Sequence, residues 1–170
     1  NVVHSSDMNL LSALEFAVDA LKVREIIICG HYGCGGVKAA TEEDLPHGLA
    51  DHWLEPIRRL ARQYSIDLTI ATDAESRRDR LAELNVIEGV RRVTETPILQ
   101  RAWTNGAEIA VHGLIYGLKD GLLHDLNCTI TRGHLSPGPA KRPCMSGSTT
   151  PGADVTRAIW WQACCRSAKR

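Results

Sequence analysis

The chain has 170 residues, of which 44% are hydrophobic and 24% charged, so it is long enough to bury the core of one domain. Lysine plus arginine and aspartate plus glutamate both total 20, and this balance argues against a nucleic-acid or anionic-membrane partner. No apolar run is long enough to span a bilayer and no secretory signal is visible, which predicts a cytoplasmic protein.

The first elements alternate between helical and strand patterns. Apolar residues recur at helical spacing over about residues 8–22, with Ser6 or Asp7 available as the cap. The β-branched run Glu25–Gly30 then predicts a buried strand. A glycine-rich loop follows it, and we expect the next helix to begin near Gly36.

Helical spacing dominates the middle of the chain. It predicts a helix over about residues 49–61 despite Pro56, and a long helix over about residues 74–94 with a solvated, charged face. Between them, the run 66–70 is either a short strand or connecting structure. A further short helix is expected over residues 97–103.

The last third of the chain changes character. A second strong strand is predicted at Glu108–Tyr116, followed by turn residues and a short antiparallel or edge strand within Leu122–Thr131. Residues 133–170 are rich in proline, glycine, serine and threonine and lack periodicity. We therefore predict an α/β domain over residues 1–132 and a poorly ordered tail over 133–170.

The stretch with chemical potential is the end of the first strand and the loop after it. His31 and Cys34 lie at the carboxyl end of that strand, where open α/β sheets place their chemistry. A lone histidine at a strand end usually bonds to the backbone, and a lone cysteine is usually a buried thiol such as Cys29. Together, at a spacing that lets one turn aim both at a single ion, His31 and Cys34 favour a zinc site. The glycines match neither GxGxxG nor a P-loop, so a nucleotide site is not expected.

Several segments of the sequence resemble the β-class carbonic anhydrases. The resemblance runs from Asn1 to about Arg132 and lies in Ser12–Val18, Leu21–Val23, Ile27–Val37, Glu83–Val86, Gln100–Trp103, His112–Gly117 and Asp120–Leu123. It implies a mostly parallel β-sheet flanked by helices, a homo-oligomer (dimer or tetramer), and reversible hydration of carbon dioxide to bicarbonate. The chain starts without methionine, and we expect the first strands of the family's sheet to be missing.

The resemblance also implies a zinc cofactor held by two cysteines and one histidine. His31 and Cys34 match two of these metal ligands. The other cysteine belongs to a Cys-x-Asp-x-Arg motif, which occurs nowhere in the 170 residues, so no catalytic residue is identified. By the same resemblance, Gly35 and Tyr116 are candidates for substrate binding. We expect little activity unless the missing ligand is supplied from elsewhere.

Two other functions stay open at this point. The chain could be a non-catalytic remnant that serves as an assembly or binding module, and its zinc content would then be low. It could also be a hydrolase of carbon disulfide or carbonyl sulfide with the same fold and ligands. Cys164 and Cys165 have no counterpart in the family, and sequence spacing alone does not assign them as ligands.

Overall fold

The computed structural model describes residues 2–42 and 48–132, together with the backbone of residues 158–162. The elements in chain order are α1 (Met8–Glu15), a π-helical turn (Phe16–Ala20), β1 (Glu25–His31), α2 (Gly35–Thr41), α3 (Leu49–Gln63), α4 (Ser65–Thr69), α5 (Ala74–Thr94), α6 (Pro97–Thr104), β2 (Ala110–Tyr116), β3 (Leu123–Asp125) and β4 (Ala158–Gln162). The strands form one sheet in the order β3-β2-β1-β4. Because β1 is parallel to both β2 and β4, and only β3 is antiparallel, the predicted mostly parallel α/β fold is confirmed.

The core lies between the sheet and helix α5, which contacts both β1 and β2. The apolar positions of α5 repeat every three or four residues, so one side of the helix is buried, while its arginines are exposed or half-buried. Asp73 caps the helix by accepting a hydrogen bond from the Ser76 amide at 2.8 Å. The predicted helix over residues 74–94 is therefore correct.

Strand β1 approaches α5 unusually closely at its carboxyl end. A Cβ atom built on Gly30 would lie 2.5 Å from Cγ2 of Val86, which is closer than real side chains approach one another. Only glycine allows this contact without a shift of the helix.

Residues 66–70, expected as connecting structure and considered as a strand, belong largely to a short helix. These residues lie in and just after the short helix α4, with Leu68 buried and Ile66 and Ile70 exposed to 80% and 74%. The intrinsic strand preference of isoleucine is overridden because α4 packs on α3 and α5 through one apolar side chain, and no strand edge lies there to receive the segment.

The edge strand predicted within Leu122–Thr131 is shorter than that range. Leu123–Asp125 pairs antiparallel with the end of β2, and an isolated bridge joins Ile130 to Val111. Asn127, between these two pairings, has a positive φ of 53° and interrupts the ladder. The rest of the predicted strand is therefore turn and extended chain.

Most of the predicted tail, 133–170, lies outside the described residues. Within it, the backbone of β4 pairs in parallel with β1 on the side away from β2, with Ala158 opposite Glu25 and Gln162 opposite Cys29. No periodic pattern in the sequence predicted this strand. In the part of the chain that the structure describes, no helix has the length and apolar character needed to cross a membrane.

Candidate metal centre

His31 and Cys34 are held by a tight turn at the carboxyl end of β1. His31 is the last residue of β1 and Cys34 immediately precedes α2. Between them Gly33 adopts a φ of +67°, a conformation that strains any residue with a side chain, so the glycine is required for the turn. The Tyr32 amide donates to the carbonyl oxygen of Tyr116 at 3.0 Å, which ties the turn to β2.

The two predicted ligands line one small cavity. Its volume is about 40 Å³, which is enough for a few water molecules or one small substrate. The walls are formed mainly by apolar side chains from the amino-terminal segment, β1, α2 and α5. The lining residues are Val2, Val3, Ile28, Cys29, Gly30, His31, Cys34, Val37, Ala82, Asn85 and Val86.

The ring of His31 is oriented as in a metal ligand. Its Nδ1 atom lies 3.0 Å from the carbonyl oxygen of Tyr32. A carbonyl oxygen can only accept, so Nδ1 is the donor in this contact, and in the neutral ring the lone pair then lies on Nε2. Histidines that bind metals usually fix their tautomer by this kind of bond to a backbone carbonyl. The geometry therefore fits a metal bound at Nε2.

The two cysteines of the cavity differ in their surroundings. Cys34 is buried, whereas Cys29 is half-buried and its Sγ lies 3.4 Å from the carbonyl oxygen of Gly30. Burial raises the pKa of the Cys29 thiol, which favours the protonated form. The interpretation of Cys29 as a structural thiol agrees with this environment.

The described residues contain no group of three histidine, cysteine, aspartate or glutamate side chains that converge on one point. His31 and Cys34 are thus two donors at one cavity, whereas zinc in proteins normally has three or four protein ligands. The donor types and the histidine tautomer fit zinc, and at least one further ligand is needed to hold it.

Two acidic residues of α5 hold the turn, and sequence reasoning missed both. The Tyr32 hydroxyl donates to Glu83 at 2.8 Å, and the Gly33 amide donates to Asp79 at 3.2 Å. The sequence predicts a solvated face for the charged run that contains Asp79, and Glu83 enters only through a segment of the family resemblance. The signal that could have found them is their spacing, since positions four apart project from the same side of a helix.

The two candidates for substrate binding lie near the same end of the sheet. Tyr116 is the last residue of β2, directly opposite His31 in the parallel pairing, and it is half-buried. Gly35 is the exposed first residue of α2. Neither residue lines the cavity. Their roles stay predictions.

His112 is not a simple strand residue with a free polar tip. Its Nδ1 lies 2.9 Å from the Thr129 hydroxyl, and its Nε2 lies 2.5 Å from a carboxylate oxygen of Glu25. Glu25 begins β1, at the opposite end of that strand from His31. His112 therefore links three segments of the chain away from the metal centre.

The protein is an α/β protein with a mostly parallel sheet. A histidine and a cysteine at the carboxyl end of a central strand form its candidate zinc centre. A family model described as carbonic anhydrase matches residues 1–123, and the chain belongs to that family. The solved structures that it resembles place it in the β class.

The curated relatives include carbonic anhydrases of fungi. The carbonic anhydrase of Emericella nidulans is 44% identical over 128 residues, and that of Saccharomyces cerevisiae is 36% identical over 133 residues. Each alignment covers 75% of this chain but only 55% and 60% of the respective relative. The chain thus spans a little over half the length of the curated relatives that it matches.

Solved structures show the same relationship. The β-carbonic anhydrase CafA of Aspergillus fumigatus superposes with a TM-score of 0.69 at 38% identity, covering 75% of this chain and 60% of that one. Tetrameric β-carbonic anhydrases from Sordaria macrospora give a TM-score of 0.72 at 31% identity, with coverage of 76% and 65%. The described α/β domain therefore has the β-carbonic anhydrase fold.

Proposed function

We propose that this chain catalyses the zinc-dependent, reversible hydration of carbon dioxide to bicarbonate, with His31 and Cys34 as two of the metal ligands. The observation that carries the proposal is the cavity that both residues line, with the Nε2 atom of His31 left available for a metal. Membership of the carbonic anhydrase family supports the same reaction.

The residues of the cavity suit an apolar gas that reacts with water. Zinc, when bound, would supply a Lewis acid that lowers the pKa of a bound water molecule to about 7. The contact between Nδ1 and the Tyr32 carbonyl would orient the His31 ring so that Nε2 faces the metal. Val3, Val37 and Val86 form part of an apolar wall, which would favour carbon dioxide over a charged molecule.

The partners proposed for the chain follow from its surface. Exposed apolar side chains on α1 and just after it, Met8, Phe16 and Leu21, are 71%, 60% and 54% accessible and could be covered in a homo-oligomer. The tetrameric Sordaria enzymes support this proposal. We also propose a cytoplasmic location with no nucleic-acid or membrane partner, from the balanced charge.

The non-catalytic remnant is the second candidate. It is favoured by the lack of three converging ligands among residues 2–42 and 48–132. A remnant would keep the oligomeric surface but would bind zinc weakly, because a site with two ligands lacks the donors that zinc requires. Zinc content therefore separates the two functions.

The decisive experiment combines metal analysis with an assay of carbon dioxide hydration by stopped-flow pH change. Where a further ligand completes the site, we expect near-stoichiometric zinc and measurable hydration in the wild type, and loss of both in His31→Ala. His52→Ala is the matched control, since His52 is an exposed histidine on α3. Carbonyl sulfide as a second substrate tests the related hydrolase. A wild-type protein without zinc and without activity would favour the remnant.

A further inference from the structure

The peptide group between Tyr32 and Gly33 has a hydrogen-bond partner at each end. Its carbonyl oxygen lies 3.0 Å from Nδ1 of His31, and its N–H donates to a carboxylate oxygen of Asp79 at 3.2 Å. Asp79 lies on α5, 46 positions away from Gly33 in the chain. A single planar unit therefore connects the carboxylate of Asp79 to the ring of His31.

This arrangement gives Asp79 two ways to act on His31. Because the peptide group is planar, a bond that fixes the direction of the Gly33 N–H also fixes the direction of the Tyr32 carbonyl. Hydrogen bonds in a chain also polarise one another, so an anionic acceptor at the N–H makes the carbonyl oxygen a stronger acceptor. Both effects favour a proton on Nδ1 of His31, which leaves the lone pair of the neutral ring on Nε2.

We propose that Asp79 is a positioning residue that orients His31 for metal binding through the peptide group between Tyr32 and Gly33. This inference rests on the proposed zinc site. Histidines that bind metals commonly donate their other ring N–H to a carboxylate or to a backbone carbonyl. Here the two kinds of partner lie in series, with the carbonyl against the ring and the carboxylate behind it.

Glu83 supports the same peptide group from the next turn of α5. It accepts a hydrogen bond from the Tyr32 hydroxyl at 2.8 Å, and Arg80 donates to its other carboxylate oxygen at 2.8 Å. The side chain of Glu83 is only 16% accessible, so solvent competes little for these bonds. Glu83 therefore holds the side chain of Tyr32, while Asp79 holds the main chain at Gly33.

The position of Asp79 allows its role to be tested without unfolding the chain. Gly33 is exposed, so water can replace the carboxylate as the acceptor for its N–H. Asp79 is half-buried and is not among the residues that line the cavity at His31. A change measured at His31 in a variant of Asp79 would therefore report an effect transmitted through the turn.

The first measurement is the tautomer of His31 in the metal-free chain, by long-range proton–nitrogen NMR at a pH at which the ring is neutral. His31→Ala assigns the signal. We expect Nδ1–H in the wild type and a shift toward Nε2–H in Asp79→Ala. Asp79→Asn should keep the wild-type tautomer, because its amide oxygen can still accept from the Gly33 N–H. Glu75→Gln is the matched control, since it removes an exposed charge of the same helix that bonds to Lys119.

The second measurement is the Kd for zinc, by competition with a chromophoric chelator. We expect Asp79→Ala to raise it by about 10–100-fold, the usual cost of losing a hydrogen-bond partner that orients a metal ligand. Asp79→Asn should raise it less, and Glu75→Gln should leave it at the wild-type value. Circular dichroism and urea denaturation of all variants establish that they are folded.

The outcomes separate this inference from the proposed function. An unchanged His31 tautomer and zinc Kd in Asp79→Ala would overturn the positioning role. Equal changes in Glu75→Gln would also overturn it, because they would show a general effect of charge, and so would an Asp79→Asn variant as impaired as Asp79→Ala. A wild-type chain that binds no zinc would contradict the proposed function, whereas the tautomer in the metal-free chain would still decide the role of Asp79.

Discussion

Gly30 and Val86 are packed so closely that strand β1 and helix α5 leave no room for a methyl group between them. A Cβ at position 30 would lie 2.5 Å from Val86 Cγ2. Gly30→Ala is therefore expected to lower the free energy of unfolding by about 1–3 kcal/mol, as overpacking of a core does. Chemical denaturation measures the effect.

Two variants control for this explanation. Gly35→Ala adds the same methyl group at an exposed helical position and should leave stability unchanged or slightly raised. Val86→Ala creates space at the contact, so the double variant Gly30→Ala, Val86→Ala should lose less than the sum of the single losses. Additive losses would show that the Gly30 effect does not arise from Val86.

Zinc should stabilise the folded chain if His31 and Cys34 are ligands. At a free concentration of 100 times the Kd, a ligand of the native state adds about 2.7 kcal/mol, which corresponds to a rise in Tm of about 5–11 °C for a chain of this size. EDTA should reverse the shift in a thermal scan. The Tm of His31→Ala should not rise with zinc. A rise equal to that of the wild type would show that the ion binds elsewhere.

Glu88 should make stability depend on acid pH. Hydrogen bonds from Arg91 at 2.7 Å and Arg92 at 3.0 Å stabilise its carboxylate, and the bond with Arg91 is the main reason why its pKa is lowered. Because its pKa is lowered in the folded state, the ionised Glu88 carboxylate makes its full contribution to stability at pH values above its unfolded pKa of about 4.3. This contribution is lost as the pH falls through the folded pKa.

The measurement compares Glu88→Gln with the wild type by urea denaturation across pH. At pH 7 the variant should be less stable by up to about 1 kcal/mol, because solvent screens the ion pair. The difference should shrink as the pH falls below about 4.3. Glu95→Gln, which removes a more exposed partner of Arg91, should have a smaller effect. A difference that stays constant with pH would contradict the role assigned to the Glu88 charge.

Phe16 tests the proposed oligomer. Its side chain is 60% exposed at the start of the π-helical turn, and a charge there would oppose burial against a second subunit. We expect Phe16→Glu to shift the assembly toward the monomer in sedimentation analysis. Ile66→Glu on α4 starts from a side chain that is 80% exposed and is the matched control. Equal monomer fractions in both variants would exclude the surface around Phe16 as the interface.

Local patterns predicted most of the regular structure between residues 8 and 125. In α5 and in β1, the spacing of the apolar residues predicts both the type of secondary structure and the residues that face the core, because both follow from the same backbone geometry. The short segment around Ile66 was predicted less well. Its two exposed isoleucines carry a strand preference, and only the packing of Leu68 on neighbouring helices decides that it is helical.

The candidate site shows the same division. His31, Cys34 and the glycine between them are adjacent in the sequence, so their chemistry and tight turn could be predicted from residue types alone. The Asp79 and Glu83 hydrogen bonds to that turn could not, since they join residues 46 and 51 positions apart in the chain. The charge of a side chain does not predict whether it is solvated or hydrogen-bonded to a loop.

The sequence by itself predicted the family, the α/β class and two candidate metal ligands, because these depend on local patterns and on a motif within four residues. The tertiary structure decided what surrounds those two residues: the contact of the His31 ring with the Tyr32 carbonyl, the cavity against α5, and strand β4 beside β1. The pairing of distant strands is a property of register and sheet order, and no local pattern encodes it.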